Sequence, residues 1–304
     1  MCKPVRRTRS CGDKAARHRP FSCTQRWPGL SSNSSMLIDT HAHLDFPDFK
    51  SDLPEVIARA SEAGVTEIIA MATRVETSAG AIRIAEKFPN VWACVGIHPM
   101  EAGDAPADAI ARLRELAANP RVVAIGEIGL DYHATDPDPA KEAAKRKRQA
   151  ELFRQQLELA AELGLNVVLH VRESFQQDLW EDALRIIRPF TGRLRAVFHC
   201  FKGTPEQVVQ VAALGHIVSF TGFVTYPEMP QIPATATQID ARAFMLETDA
   251  PFQRPPPDCE KRCEPAFLRQ IAENIARLRG ISLEQLAAET TSNARHFFKF
   301  ERTP

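Results

Sequence analysis

From Met36 onward the chain repeats one unit eight times: a short run of consecutive apolar residues, then a longer amphipathic or polar stretch. The units are Met36–Leu44 with Leu53–Gly64, Val65–Ala72 with Thr77–Phe88, Val91–Ile97 with Ala107–Ala118, and Val122–Leu130 with Ala140–Leu163. They continue as Asn166–Val171 with Phe175–Ile187, Arg195–Phe201 with Pro205–Leu214, Ile217–Phe223 with a loop, and Phe244–Leu246 with Pro265–Leu278. A last helix is expected over Leu283–Phe298. A run apolar on successive residues, such as Asn166-Val-Val-Leu169, needs cover on both faces, which is the condition of a parallel sheet wrapped by helices. Glycines at 64, 164 and 215 stand between a helical stretch and the next strand, the usual place for a left-handed helix stop. Eight such units in about 260 residues predict an α/β fold, a (β/α)8 TIM barrel. No G-x-G-x-x-G follows a strand, which excludes the dinucleotide-binding sheet. The weak unit is the seventh, where Pro230 and Pro233 make Glu228–Arg242 a poor helix.

Charge divides the chain into two parts. Residues 1–35 hold eight basic side chains against Asp13, a net +7; the 304-residue chain balances at zero, so residues 36–304 carry −7. The head has no hydrophobic period and ends in Ser31-Ser-Asn-Ser-Ser35, as a flexible linker would. Arg-rich and acid-poor, it fits a transit peptide or a nucleic-acid arm. The plainest reading is that translation starts at Met36 and that the domain comprises residues 36–304. No stretch of about 18 apolar residues offers a membrane span. The seven cysteines are odd in number and scattered, which suits a reduced, cytoplasmic chain better than a disulfide framework. Cys94 and Cys200 fall in apolar runs read as buried strands. Cys259 and Cys263 could share a zinc site, but no second pair accompanies them, so they are read as thiols.

The chemistry sits where the strands end. The first run reads Asp39-Thr-His41-Ala-His43-Leu-Asp45, and residues two apart on a strand point the same way, so His41 and His43 can grip one ion. Glu127 lies between Gly126 and Gly129 in the fourth run, His170 ends the fifth, His199 the sixth, and Asp249 follows the eighth. In a barrel these ends converge on one face. Any one buried histidine is readily a core residue bonded to backbone; five strands each delivering a ligand type at the same end point to metal. Imidazole with carboxylate suits zinc, manganese, nickel or iron, and a carboxylate placed between two ions can bridge them.

The motifs D-T-H-A-H-L-D, G-I-H-P, A-I-G-E-I-G-L-D-Y, V-L-H, F-H-C-F and L-E-T-D-A-P, in this order from Met36 to about Phe298, resemble the TatD family of metal-dependent deoxyribonucleases. The resemblance implies a TIM barrel of the amidohydrolase-like branch and a phosphodiester hydrolase acting on DNA, a 3′–5′ exonuclease preferring single strands or 3′ ends. It implies two divalent cations (Mg, Mn or Zn). His41, His43 and Asp249 would hold the first, His170 and His199 the second, and Glu127 would bridge. Two such cations acidify a water; Asp249 would either take its proton or serve only as a ligand. DNA is the expected partner, with no membrane and no obligate protein partner evident. The basic head has no counterpart in the family pattern, and Cys263 stands where asparagine is usual.

A second group of residues carries weaker expectations. His98 either contacts a phosphate or leaving group or merely shapes a turn. Arg172 and Lys202, each two or three positions past a metal histidine, could bind flanking phosphates or be solvated. Asp45, Asp131 and Glu247 could orient histidines. The basic run Lys141–Arg148 has acidic neighbours and is read as a solvated helix face rather than a DNA contact. The rival activity is hydrolysis of a small ester, amide or phosphoester on the same metals. An open cationic mouth through Arg172 and Lys202 would favour nucleic acid; a closed apolar pocket would favour the small substrate.

Overall fold

The consecutive apolar runs form eight strands, every neighbouring pair parallel and in chain order: β1 Leu37–Ala42, β2 Val65–Met71, β3 Val91–Val95, β4 Val122–Asp131, β5 Asn166–Arg172, β6 Ala196–Phe198, β7 Ile217–Phe220 and β8 Phe244–Leu246. The computed structural model describes residues 36–133, 136–172 and 178–300. The basic head (residues 1–35, with Cys2, Cys11 and Cys23) and Phe175, expected to start the fifth helix, lie outside the described residues. The helices between and after the strands are α1 Leu53–Glu62, α2 Val75–Lys87, α3 Ala109–Ala117, α4 Pro139–Leu163, α5 Asp178–Ile187, α6 Pro205–Ala213, α7 Gln231–Gln238, α8 Leu268–Arg279 and α9 Leu283–Phe298. Among the described residues, no helix is long and apolar enough to cross a membrane.

The seventh unit does form a helix. Pro230 is its N-cap and Pro233 its third residue, where a backbone N–H would have no partner within the helix, so the prolines cost little there. The expectation of a buried strand residue at Cys200 fails: β6 ends at Phe198, and Cys200 turns the chain with a left-handed φ of 49°.

Alternation along the strands builds two apolar layers. The layer between sheet and helices is the larger, with Leu37, Ile68, Ala70, Ile125 and Phe244 among its buried members. The barrel interior holds Ile38, Ile69, Met71, Cys94, Val168, Ile217 and Met245, and Phe297, Phe298 and Phe300 pack onto it from below. Asn166 Nδ2 donates to Phe297 O (2.6 Å), Thr291 Oγ1 to Met36 O (2.8 Å) and Asn293 Nδ2 to Phe244 O (2.8 Å), so α9 is tied to the starts of β5, β1 and β8.

The barrel closes through the segment after β8 as much as through β8 itself. Asp249 N donates to His41 O (2.9 Å) and His43 N to Ala250 O (2.8 Å), with Ala42 and Ala250 bridged in parallel. Beneath them the buried Asp39 carboxylate accepts from Thr248 N (3.0 Å), Thr248 Oγ1 (2.6 Å) and His41 N (3.2 Å). Burial pushes the Asp39 carboxyl up to about 7 against the pull of those Thr248 bonds. The seam that shuts the barrel is therefore what sets Asp249 beside His41 and His43.

Candidate metal centre

Glycine makes room for the central carboxylate. A Cβ on Gly126 would lie 2.8 Å from Val168 Cβ, and one on Gly129, at φ +137°, 2.1 Å from His170 O. Only bare backbone lets β4 run this close to β5, and that approach delivers Glu127 into the ring of histidines.

Four donor atoms cluster on one side of Glu127. His41 Nε2 lies 3.3 Å from His43 Nε2, 3.4 Å from Glu127 Oε2 and 3.5 Å from Asp249 Oδ1; His43 Nε2 lies 3.5 Å from Glu127 Oε2 and 3.4 Å from Asp249 Oδ1. An ion bound tetrahedrally at ~2.1 Å would space its ligands about 3.4 Å apart. His41, His43 and Glu127 therefore fit a cation in donor type and in spacing, and Asp249 stands at a matching distance from both imidazoles.

The other oxygen of Glu127 faces the second pair. Oε1 is 2.7 Å from His170 Nδ1 and 2.8 Å from His199 Nε2, and the two ring nitrogens are 3.3 Å apart. His170 Nε2 is 3.0 Å from Asp131 Oδ2, so it carries a proton that this carboxylate accepts. Its Nδ1 then meets Glu127 either as an imidazolium or with a lone pair free for a cation, and this half of the site also fits a metal.

Burial would push the Glu127 carboxyl up, but the His199 charge first and the His170 hydrogen bond, within a ring of imidazoles, hold it well below the usual range. Asp249 follows the same pattern: burial raises it, and the His43 hydrogen bond with the charges of His41 and His199 brings it below its ordinary value. Both are ionised at neutral pH, the state a ligand needs. Burial lowers His170 and His199, and their carboxylate partners more than reverse this.

Around the cluster lies a cavity of about 440 Å³ that His43, Glu127, His170, His199 and Asp249 line together with His98, Arg172 and Lys202. All three weaker phosphate-contact expectations thus fall on the mouth. His98 Nδ1 accepts from Met100 N (3.1 Å), which leaves the ring hydrogen on Nε2, 3.6 Å from Glu127 Oε1. Burial and the neighbouring His170 push this imidazole down to about 3, so it is neutral. Lys202 Nζ stands 5.2 Å above the Phe223 ring, and Phe46 packs edge-on to the exposed Phe252 at 5.8 Å. The mouth therefore sets Arg172, Lys202 and three phenylalanine rings beside the carboxylates of the site.

Of the three expected orienting carboxylates, Asp131 bonds His170, and Glu247 lies 3.5 Å from His199 Nδ1 while accepting from Cys200 N (2.6 Å) and Ser219 Oγ (2.7 Å). Asp45 holds no histidine by a hydrogen bond: its Oδ1 is buried without a partner among the described residues, and burial pushes it up to about 6. Four residues of the site escaped sequence reading. Asp39 and Thr248 make the seam, and the Gln253 amide donates to Asp249 Oδ2. Gln156 binds both Ile97 N (2.8 Å) and Ile97 O (3.1 Å), fixing the backbone beside His98. The signal for Gln156 was present: Gln149 and Gln156, seven apart, interrupt the apolar face of α4. Cys263 keeps its loop in place through its backbone, donating to Pro251 O (2.8 Å).

An eight-stranded parallel barrel with histidines and carboxylates gathered at the strand ends defines a metal-dependent hydrolase of the TIM-barrel class. The family model described as TatD related DNase matches residues 38–299. The chain is 35% identical over 265 residues to the "Uncharacterized metal-dependent hydrolase YabD" of Bacillus subtilis, covering 87% of this chain and 99% of that one. It is 36% identical over 269 residues to the "3'-5' ssDNA/RNA exonuclease TatD" of Erwinia tasmaniensis, covering 86% and 99%. The solved structure of YJJV, a TatD homologue from Escherichia coli K12, superposes with a TM-score of 0.78 at 29% identity, covering 90% of this chain and all of that one. The chain belongs to the TatD family of metal-dependent hydrolases.

Proposed function

We propose that the protein removes nucleotides from the 3′ end of single-stranded DNA with two divalent cations (Mg, Mn or Zn), which His41, His43 and Asp249 on one side and His170 and His199 on the other would hold, with Glu127 shared between them. The observation that carries this reading is the division of the Glu127 carboxylate, Oε2 toward His41 and His43 and Oε1 toward His170 and His199. Bound there, divalent cations would supply Lewis acidity for a phosphodiester and lower the pKa of water.

The chain's own groups do the rest. Asp249 keeps Oδ1 toward His41 and His43 while Gln253 holds Oδ2, so the carboxylate is oriented as well as ionised. It accepts the proton of the attacking water. As the bond from phosphorus to the 3′ oxygen of the penultimate nucleotide breaks, His98 Nε2–H is set to donate to that oxygen or to a non-bridging one. Arg172 and Lys202 hold flanking phosphates, and Phe46, Phe223 and Phe252 offer faces and edges on which unpaired bases stack. Cations joined to aromatics suit a single strand better than a small apolar ester. The relatives named as 3′–5′ exonucleases for single-stranded DNA and RNA support the same reading.

The test is degradation of end-labelled single-stranded DNA by the purified full chain with added Mg²⁺ or Mn²⁺, beside EDTA and Glu127→Ala controls. Laddering from the 3′ end that both controls abolish is expected. An intact oligonucleotide with metals demonstrably bound, together with turnover on an ester or amide panel, would overturn the nuclease in favour of the small-substrate hydrolase.

A further inference from the structure

Helix α4 has 25 residues where the other barrel helices, α1 to α3 and α5 to α8, have 8 to 13. Its excess lies at one end. Gln149 marks the height of the strand ends, because its amide bonds Asp131 N (3.0 Å) and Asp131 O (3.1 Å), and Asp131 is both the last residue of β4 and part of the cavity wall. Residues Pro139 to Arg148 therefore rise past the mouth by about 15 Å, at ~1.5 Å per helical residue.

This projecting segment carries Lys141, Lys145, Arg146, Lys147 and Arg148 against Glu142, a net +4 on a domain that is otherwise strongly acidic. Lys141, Lys145 and Arg148 are spaced i, i+4, i+7 and share one face. Arg148 Nε donates to Ala102 O (3.1 Å), which sets that face against the loop carrying His98 and Met100, both on the cavity wall. Arg146 belongs to a different face: it covers the Tyr132 ring at 4.3 Å and bonds Glu142 (2.7 Å). At the tip Asp138 accepts from Ala140 N (2.9 Å) and Asp136 from Asp138 N (2.9 Å), and the cationic band lies between this tip and the rim.

We propose that the Lys141–Lys145–Arg148 face of α4 is a cationic post that binds the backbone phosphates of the strand upstream of the 3′ end held in the cavity. The sequence alone favoured a solvated helix face for this run; its elevation beside the mouth supplies a different reason for the charge. A polyanion approaching a net-negative domain needs a local cationic track, and the α4 side of the rim offers one to a single strand whose last phosphodiester lies at Glu127. The inference rests on the nuclease reading of the cavity for the direction in which the strand runs.

Two readouts test it, both with the full chain and the K141Q/K145Q variant; glutamine keeps the helix propensity. The first is anisotropy of a labelled oligothymidylate of about twenty residues in EDTA, as a function of salt. Each lost phosphate contact lowers the slope of log K against log salt by ~0.7, so the double variant is expected to lose about 1.4 of slope and about tenfold in affinity at ~50 mM salt. The second is kcat/KM with Mn²⁺ on that oligonucleotide and on a dinucleotide: an approximately tenfold fall on the long substrate alone is expected. Lys147→Gln, off the face, is expected to change neither. Equal loss on both substrates, or no change in slope, would overturn the post. Slope-dependent binding by a parent that hydrolyses neither substrate would keep the post and remove the nuclease.

Discussion

The two ends of the barrel hold histidines in different company: carboxylates surround those at the mouth, where burial still lowers His41 and His98, and none among the described residues meets the one at the base. At the mouth, His43, His170 and His199 each have a carboxylate oxygen within 3.5 Å, and despite burial those partners raise their pKa values. At the base, His216 accepts from Ala196 N (3.3 Å) beside Phe198, its Nε2 has no partner among the described residues, and burial with the Arg195 charge pushes it down to about 4. Backbone follows a similar division, with Lys299 after α9 (φ 50°) the exception at the base. The left-handed positions where helices turn back into strands at the base are Gly64, Gly164 and Gly215, for which that conformation is free of steric cost. At the mouth Cys200 (φ 49°), Asp249 (φ 56°) and Gln253 (φ 57°) adopt it with side chains attached. One end is built for stability and the other for chemistry, and the first holds the second in place.

The largest effect expected from breaking this division is on activity. Glu127→Ala removes the group shared by both histidine pairs, and a loss of several kcal/mol in transition-state stabilisation corresponds to a fall of about a thousandfold or more in kcat/KM. The base should respond in the opposite sense. Phe297→Ala opens a hole in the plug under the interior layer and is expected to lower the unfolding free energy by about 3–5 kcal/mol in a urea titration, with metal bound per folded molecule unchanged. Between these, Asp131→Asn weakens the partner that orients His170, and a ten- to hundredfold loss of metal affinity at the second pair is expected.

The smallest effect sharpens the histidine contrast. His216 has a folded pKa of about 4, below its unfolded value, so its contribution to stability is present above pH ~6.5 and lost as the pH falls toward 4. Urea titrations at pH 7 and pH 5 should lose up to about 2 kcal/mol more stability in the parent than in His216→Asn. A difference of zero would mean that the base histidine is not held neutral by its surroundings.

The sequence made the eight units legible because parallel strands are apolar on both faces, and it made the metal cluster legible because those runs end in His41, His43, His170 and His199. What stayed hidden depends on partners far apart in the chain. Asp39 and Thr248 are separated by 209 positions and meet only when the barrel closes. The hydrogen bonds of Gln149 and Gln156 to the ends of two strands require the register of α4 on the sheet, which periodicity does not supply. Asp45 lies three residues beyond the end of β1 at Ala42, where alternation no longer decides where a side chain points. The post on α4 lay open as composition and closed as geometry, since only the level of Gln149 reveals how much of the helix stands clear.

The central claim is that Glu127 joins two cation sites at the mouth, and metal content tests it most directly. Equilibrium dialysis against Mn²⁺ or Zn²⁺, read by elemental analysis, should give two ions per chain for the parent and one for the His170→Ala/His199→Ala variant, with His41, His43 and Asp249 retaining theirs. One ion per chain in the parent, or two in that variant, would contradict the bridging arrangement.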